Sequence, residues 1–555
     1  MKQINFTNNI SLTDEITKHK LSLRKTTLNN ELLNKRGVHM KKYTHSIIVN
    51  KSLSINIDTL NLPLHIHNES FISLTSAVEY VNSLLQSNNI NEIKYAIVFI
   101  KNNITERYLF ELTQSKIMYT LLQCMCTYKH DIQIVYEILS CLYTLMFHYN
   151  DNYFLNEIIS NETMNVLAYI MKYNNTHITS LLFAILKDIY NNEYISASQR
   201  NTFISSDLFQ QHILTYITAF INKHEHNEHI RSNEEEMFIT NVIALCSTII
   251  VYNAQHKIKI NKDISFQLMQ TLIMCTKYSD NDYDNDYERI YLILSALKEC
   301  NCNNILERIV PLIVKSVLFM NMLNGVYNNI PKIKYLINYV LCYVYHYLNV
   351  RNDIDNDMLD NIMRYEVRNI KEINEDVLIS ELYWRVSLLI NKRERIIHRV
   401  ILNNEFINEI GKCVIYETKL KILKTCFKCV KAMVKYANDS DVKLLLIEMN
   451  LFDKIVSSNI LNKVDELDLA CYVLSTVYYS LKRWERLNDN ENKRNLLLNK
   501  FIMHGGVDLI EKHSQTNYLK LMKVLNKLIT EFNLMNAHEM EIDEVCSGYN
   551  NVIKI

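Results

Sequence analysis

The sequence predicts an all-α chain wound as a right-handed superhelical solenoid, on three observations. Apolar residues recur at three- and four-residue spacing almost from end to end, the 555 residues include only six Gly and three Pro, and the helix-forming stretches repeat with a period in the forties. Hairpins, sandwiches and phosphate-cradling loops depend on Gly and Pro at their turns. Packed helices dispense with them, because Asn, Asp and Ser can make short connections. A length that would suit three or four domains of about 150 residues is therefore read as one extended architecture. The abundant Asn is read as a nucleotide bias without structural meaning.

Along the chain, residues 1–50 form a basic arm. Residues 1–51 carry ten Lys/Arg against three acids, a net of +7 in a chain whose 60 basic and 60 acidic residues otherwise cancel. Such asymmetry marks a binding tail. Residues 51–69 read as a linker, 70–535 as the solenoid and 536–555 as a C-terminal tail. Within the solenoid, helices such as IQIVYEILSCLYTLMF, ITSLLFAILKDIY, ERIYLILSALKEC, KYLINYVLCYVYHYL and LKILKTCFKCVKAMVKYA alternate with short polar breaks. Two breaks look longer, at 222–236 and 280–288.

One equivalent position per unit falls at Glu137, Ala184, Ala244, Leu292, Trp384, Phe427 and Tyr472, with gaps of 47, 60, 48, 92, 43 and 45. The 60 contains the polar insertion at 222–236, and the 92 is read as two units of about 46. This is the period of armadillo and HEAT repeats, which bury their apolar faces only by stacking and so present a long concave surface. Pro311 is expected in the first turn of a helix, where its missing N–H costs nothing.

The N-terminal MKQINFTNNI has no apolar core, and the most apolar run, 335–350, falls short of the ~20 residues needed to span a bilayer. A buried helix, with no membrane insertion, is expected there. Thirteen Cys without a disulfide-like framework point to a reducing compartment.

Two stretches at opposite ends then share one resemblance. RKTTLNNELLNKRGVHMKKY sets a basic pair, Arg24 and Lys25, seven residues before Leu32, followed by Lys35 and Arg36 and by a second pair, Lys41 and Lys42. HGGVDLIEKHSQTNYLKLMKVLNKLITEF, residues 504–532, opens Gly-Gly-x-Asp-x-Ile-Glu and closes on Phe532. The first resembles the importin-β-binding arm of the importin-α family and the second that family's last repeat; VPLIVKSVL and YLILSALKE follow its middle repeats. The resemblance implies a nuclear import adaptor without enzymatic activity, shuttling between cytoplasm and nucleus, that links protein cargo to an importin-β-like receptor through Arg24, Lys25, Leu32, Lys35, Arg36, Lys41 and Lys42. It also implies that this arm can lie in the groove as an internal competitor.

The resembled family carries W-x-x-x-N on the concave face of most repeats. Here the matching pairs are Glu137/Cys141, Ala184/Asp188, Ala244/Thr248, Leu292/Ala296, Trp384/Leu388, Phe427/Lys431 and Tyr472/Thr476, and none keeps both residues. The implied cargo groove is thus degenerate, with Asp188, Thr248, Trp384, Phe427, Tyr472 and Thr476 as its candidate residues. The alternative reading is an armadillo-repeat interaction scaffold, or a carrier for a single partner, that does not bind ordinary basic localisation signals.

Catalytic and cofactor motifs are absent, so neither a small-molecule substrate nor a cofactor is expected. HEHNEH gathers His224, His226 and His229 without a matching partner set and reads as a solvated insertion. Asp282, Asp284 and Asp286 imitate a calcium loop but meet Tyr287 where Gly is required. Cys426 and Cys429 lie within a helix and read as core cysteines. The basic arm lacks interleaved aromatics, so nucleic acid is not the expected partner.

Overall fold

The strongest apolar stretches of the sequence become one row of helices. In the structure, a computed structural model, Ser54 and Ile55 are described, and then the chain from Leu74 to Leu534. The exceptions are 104–115, 147–157, 193–194, 225–232, 277–282, 300–304, 328–329, 352–353, 373–375, 418, 458–465, 489, 491–494 and 533. The basic arm, the tail and all but two residues of the expected linker lie outside the described residues, as do His226, His229 and Asp282.

The inner row is α1 (Ile90–Asn103), α2 (Ile132–Met146), α3 (Thr176–Asn191), α4 (Asn233–Gln255), α5 (Tyr283–Lys298), α6 (Pro331–Arg351), α7 (Asp376–Ile390), α8 (Leu420–Tyr436), α9 (Leu467–Leu487) and α10 (Leu519–Phe532). Each packs on the next. Several of these helices are apolar nearly all round: α3 is buried from His177 to Leu186 and α7 from Ser380 to Ile390. A helix of that composition must have neighbours on both flanks. Shorter amphipathic helices cover the convex side. Glu394–Leu402, for example, buries only Ile396, Ile397, Val400 and Ile401 and turns its charges to solvent. The buried side chains join into one core from Val78 to Leu534.

Polar ties between neighbouring inner helices repeat the period read from the sequence. Cys141 Sγ donates to the Ile97 carbonyl, Arg289 Nε to Thr240, Tyr343 to the Leu297 carbonyl and Thr476 to the Phe427 carbonyl, partners 44, 49, 46 and 49 residues apart. Asn241 reaches back 61 residues to Ser180, across the insertion. All seven marker positions fall on inner helices, and α6 supplies the eighth within the 92-residue gap.

The chain makes do with few glycines because Asn takes over at helix ends. Asn175, Asn261, Asn403 and Asn438 cap helix N-termini through their side chains, and Asn174 and Asn450 adopt positive φ at 51° and 53°. Asparagine content therefore has a structural use that composition alone did not assign. Gly505 and Gly506 are needed as glycine: Gly505 has φ of 82°, and a Cβ on Gly506 would stand 2.5 Å from the Phe501 ring.

Two expectations are corrected. Pro311 lies inside the helix Leu306–Val314, which begins five residues before it. The polar breaks are shorter than they read, because the acids feed helix starts: Glu234, Glu235 and Glu236 form the first turn of α4, where the helix dipole favours negative charge, and α5 begins at Tyr283. Asp284 and Asp286 thus sit on helical backbone, which is not a calcium loop. While 335–350 lies in the buried helix expected there, Glu234–Gln255, which the sequence reading did not single out, is among the described residues long and apolar enough to cross a membrane. Its neighbours α3 and α5 cover it, as befits a core helix.

At the centre of the row, Arg385 and Glu366 are both fully buried and meet at 2.7 Å. Tyr345 donates to Glu366 at 2.7 Å, and Arg385 donates to Asn338 at 2.7 Å, so one charge pair ties α6, α7 and the outer helix Asn356–Glu372. Arg385→Met leaves a buried carboxylate unpaired and is expected to cost about 3–5 kcal/mol. Adding Glu366→Leu should recover most of that loss in a thermal-melt double-mutant cycle. Gly506→Ala should lower the melting temperature by the equivalent of about 1–3 kcal/mol, whereas Ser514→Ala, at an exposed position nearby, should leave it unchanged.

Candidate protein-binding groove

Helix α8 has the sequence LKILKTCFKCVKAMVKY, which places Lys421, Lys424, Lys428, Lys431 and Lys435 three or four residues apart on one face. The opposite face carries Ile422, Cys426, Phe427, Cys429, Val430 and Val434 into the core. Burial of that apolar set fixes the rotation of the helix and turns Lys428, Lys431 and Lys435 into the concavity. All five are half-buried. Like charges at this spacing repel by a few tenths of a kcal/mol per pair, a standing cost of keeping them together.

The stripe lines a cavity of about 350 Å³ bounded by α7, α8, α9 and the start of α10. Lys428, Lys431 and Lys435 share the lining with Tyr436 of the same helix and with Tyr472 and Tyr518 from the neighbouring elements, and Lys520 adds a further cation from α10. Asp468 stands on the wall, hydrogen-bonded by Tyr518. Lys424 pairs with Glu466 at 2.5 Å. Burial pulls the Lys431 ammonium below the usual lysine range, partly opposed by Cys471, while burial likewise lowers Lys421 against the pull of Glu381.

Aromatic rings in the groove already hold lysines of this chain. Lys428 Nζ lies 6.0 Å from the Trp384 ring centre, Lys431 5.8 Å from Tyr472 and Lys435 4.9 Å from Tyr479. Farther along, Lys298 stands 5.8 Å from both Tyr335 and Tyr339. Each pair joins neighbouring inner helices.

The candidate groove residues divide on this geometry. Tyr472 lines the cavity; Trp384 is nearly buried, with Lys428 over its ring. Phe427 and Thr476 are fully buried, and Thr476 donates to the Tyr472 carbonyl at 2.8 Å, so neither reaches the groove. The reason is the rotation of α8 and α9 that follows from their apolar faces. Asp188 is held by Lys187 at 2.8 Å, and Thr248 is half-buried on α4, far along the row from the stripe. The sequence reading missed the lysines, although their three-and-four spacing was visible in LKILKTCFKCVKAMVKYA. That pattern is also what any solvated helix face shows. Cys426 and Cys429 are fully buried, and burial raises both thiols well above the ordinary value, which keeps them protonated. Residues Arg24, Lys25, Leu32, Lys35, Arg36, Lys41 and Lys42 lie outside the described residues.

At the other end of the row, Ile55 is nearly buried, and its N–H donates at 3.1 Å to Glu137 Oε1, a fully buried carboxylate on α2 that also pairs with Lys101 at 2.7 Å. Backbone preceding the solenoid is thus held by an inner helix through a main-chain hydrogen bond.

Comparison with solved structures places this architecture among armadillo-repeat solenoids. The crystal structure of SYS-1 matches with a TM-score of 0.52 at 12% identity, covering 82% of this chain and 84% of that one; the SYS-1/POP-1 complex matches at 0.50 and 11%, covering 84% and 90%. An engineered protein matches at 0.50 and 10%, covering 81% and 98%. No protein-family model and no curated protein matches the sequence. The fold is an armadillo-repeat solenoid.

Glu381 on α7 is buried, and its Oε1 has no hydrogen-bond partner among the described residues. Burial lifts its carboxyl to about 7, against the lowering pull of Arg385 and Lys421. Because the folded value lies above the ordinary 4.5, the stability gained by holding this proton is full below about pH 4.5 and is lost as pH rises through 7. Glu381→Gln is therefore expected to raise the melting temperature at pH 8, by the equivalent of roughly 3 kcal/mol at most, and to have no effect at pH 4.5. Paired thermal melts at the two pH values check this.

Proposed function

We propose that this chain is a non-enzymatic armadillo-repeat interaction scaffold whose groove at α8 takes an extended, acidic segment of a protein partner. One observation carries the reading: the groove's aromatic faces are filled by the chain's own lysines, Lys428 on Trp384 and Lys431 on Tyr472. In the importin-α family that this sequence resembles, such faces receive cargo lysines. Here an incoming basic signal meets like charge, and an acidic one meets its complement. The solved complex of SYS-1 with POP-1 is consistent with a protein partner on a related fold.

The basic arm favours a second layer to this reading. The +7 charge of residues 1–51 and the spacing of Arg24, Lys25, Lys35, Arg36, Lys41 and Lys42 suit an acidic importin-β-like receptor. We propose on that basis a carrier for one acidic partner, shuttling between cytoplasm and nucleus, and not a general adaptor for basic signals. The same charge argues against the arm resting on the lysine stripe as a competitor.

Fluorescence-anisotropy titrations test both layers on the full chain. A hexaglutamate peptide should bind and a hexalysine peptide should not. Lys428→Glu/Lys431→Glu/Lys435→Glu should weaken hexaglutamate binding by about 100-fold, taking roughly 1 kcal/mol per lost charge contact, and binding should fall steeply with salt. Tighter binding of hexalysine than of hexaglutamate would sink the acidic-partner reading. Binding of importin-β, and its loss on replacing Lys41 and Lys42 with Ala, tests the arm separately.

A further inference from the structure

The segment that follows α10 carries the chemistry the lysine stripe calls for. Residues 539–544 read Glu-Met-Glu-Ile-Asp-Glu, and residues 535–555 hold four acids, Glu539, Glu541, Asp543 and Glu544, against one base, Lys554. In an extended conformation Glu539, Glu541 and Asp543 project from the same side of the backbone. This acidic run stands in contrast to α8, whose exposed charges are all positive.

Its point of departure is favourable. The end of α10 is pinned beside α9: Glu531 accepts from Tyr478 at 2.8 Å, and the Phe532 ring centre lies 6.3 Å from that of Tyr478. The next residue of α9, Tyr479, carries Lys435 over its ring at 4.9 Å. From α10 to α8 is two helix spacings, about 20 Å at 8–10 Å each. Extended chain from Leu534 spans at most about 17 Å to Glu539 and about 35 Å to Glu544. The acids therefore come into range of Lys435 and Lys431 without any rearrangement of the helices.

We propose that residues 539–544 dock on the stripe of Lys428, Lys431 and Lys435 and act as a built-in competitor for the acidic partner. The competitor role rests on the acidic-partner reading above; the docking itself does not. A tethered segment reaches effective concentrations in the millimolar range, so even weak charge pairing holds it in place. It also offsets the mutual repulsion of the lysines when no partner is bound. A partner gains access by out-competing four carboxylates, which sets a threshold of charge and length for binding.

Two measurements on the full chain test this. First, the variant Glu539→Gln/Glu541→Gln/Asp543→Asn/Glu544→Gln should bind fluorescein-labelled hexaglutamate about tenfold more tightly than the unaltered chain. Adding Lys431→Glu/Lys435→Glu should remove that difference. Second, carbodiimide treatment of the unaltered chain should give amide links, within the monomeric band, between 539–544 and Lys428, Lys431 or Lys435. Absence of these links, with equal probe affinity for the two chains, overturns the proposal and leaves the acidic-partner reading intact. Links without probe binding by either chain support docking of the tail and instead remove the acidic-partner reading.

Discussion

Inner helices of this protein such as α3, α4 and α7 are apolar on both flanks, and no repeat can bury such a helix alone. The rest of the architecture follows from that constraint. α3, α4 and α7 would each expose a full apolar side if either neighbour were withdrawn, so stability is a property of adjacent pairs and not of units. The polar ties at a separation of 44–49 residues, such as Arg289 to Thr240 and Tyr343 to the Leu297 carbonyl, are satisfied only when the neighbour is in register. They convert a non-directional apolar attraction into a defined superhelical step. The Arg385–Glu366 pair is the extreme case, since neither charge has access to water and each needs the other.

The same constraint shapes the groove. An inner helix has only a narrow strip left over after its two flanks are buried, and whatever residues occupy that strip become the concave surface. In α8 the strip is lysine at every turn, and the ammonium groups of Lys428, Lys431 and Lys435 lie over the rings of Trp384, Tyr472 and Tyr479 on adjacent helices. The charges of the groove are thus positioned by aromatic rings of adjacent helices. The sign of the charge it presents is therefore a consequence of how the solenoid stacks.

Much of the fold was legible in the sequence because stacking leaves a periodic apolar signal. The seven markers, the split of the 92-residue gap and the two glycines at 505 and 506 all reflect local pattern or local sterics. What was not legible depends on helix rotation and helix ends. Phe427 and Thr476 looked like groove residues from spacing, yet the apolar majority of α8 and α9 rotates both into the core. Lys428 and Lys431 went unremarked, because a sequence does not say which polar face closes on a neighbour and which faces bulk water. Pro311 and the acids at 234–236 were misplaced for a related reason: helix starts are set by capping and dipole energies of about 1 kcal/mol, too small to register against hydrophobic periodicity.

The hydrogen bond from Ile55 N–H to Glu137 bears on where this solenoid starts as a physical object. A buried carboxylate on α2 has Lys101 and this one main-chain amide as its partners. The backbone at Ile55 is therefore part of the folded unit, although it lies nineteen residues before Leu74, the first residue of the first helix described. A fragment trimmed to begin at that helix would remove a hydrogen-bond donor to Glu137, and would leave the first repeats with an interior acid short of that donor. Fragment boundaries chosen from helix positions alone would cut through the fold.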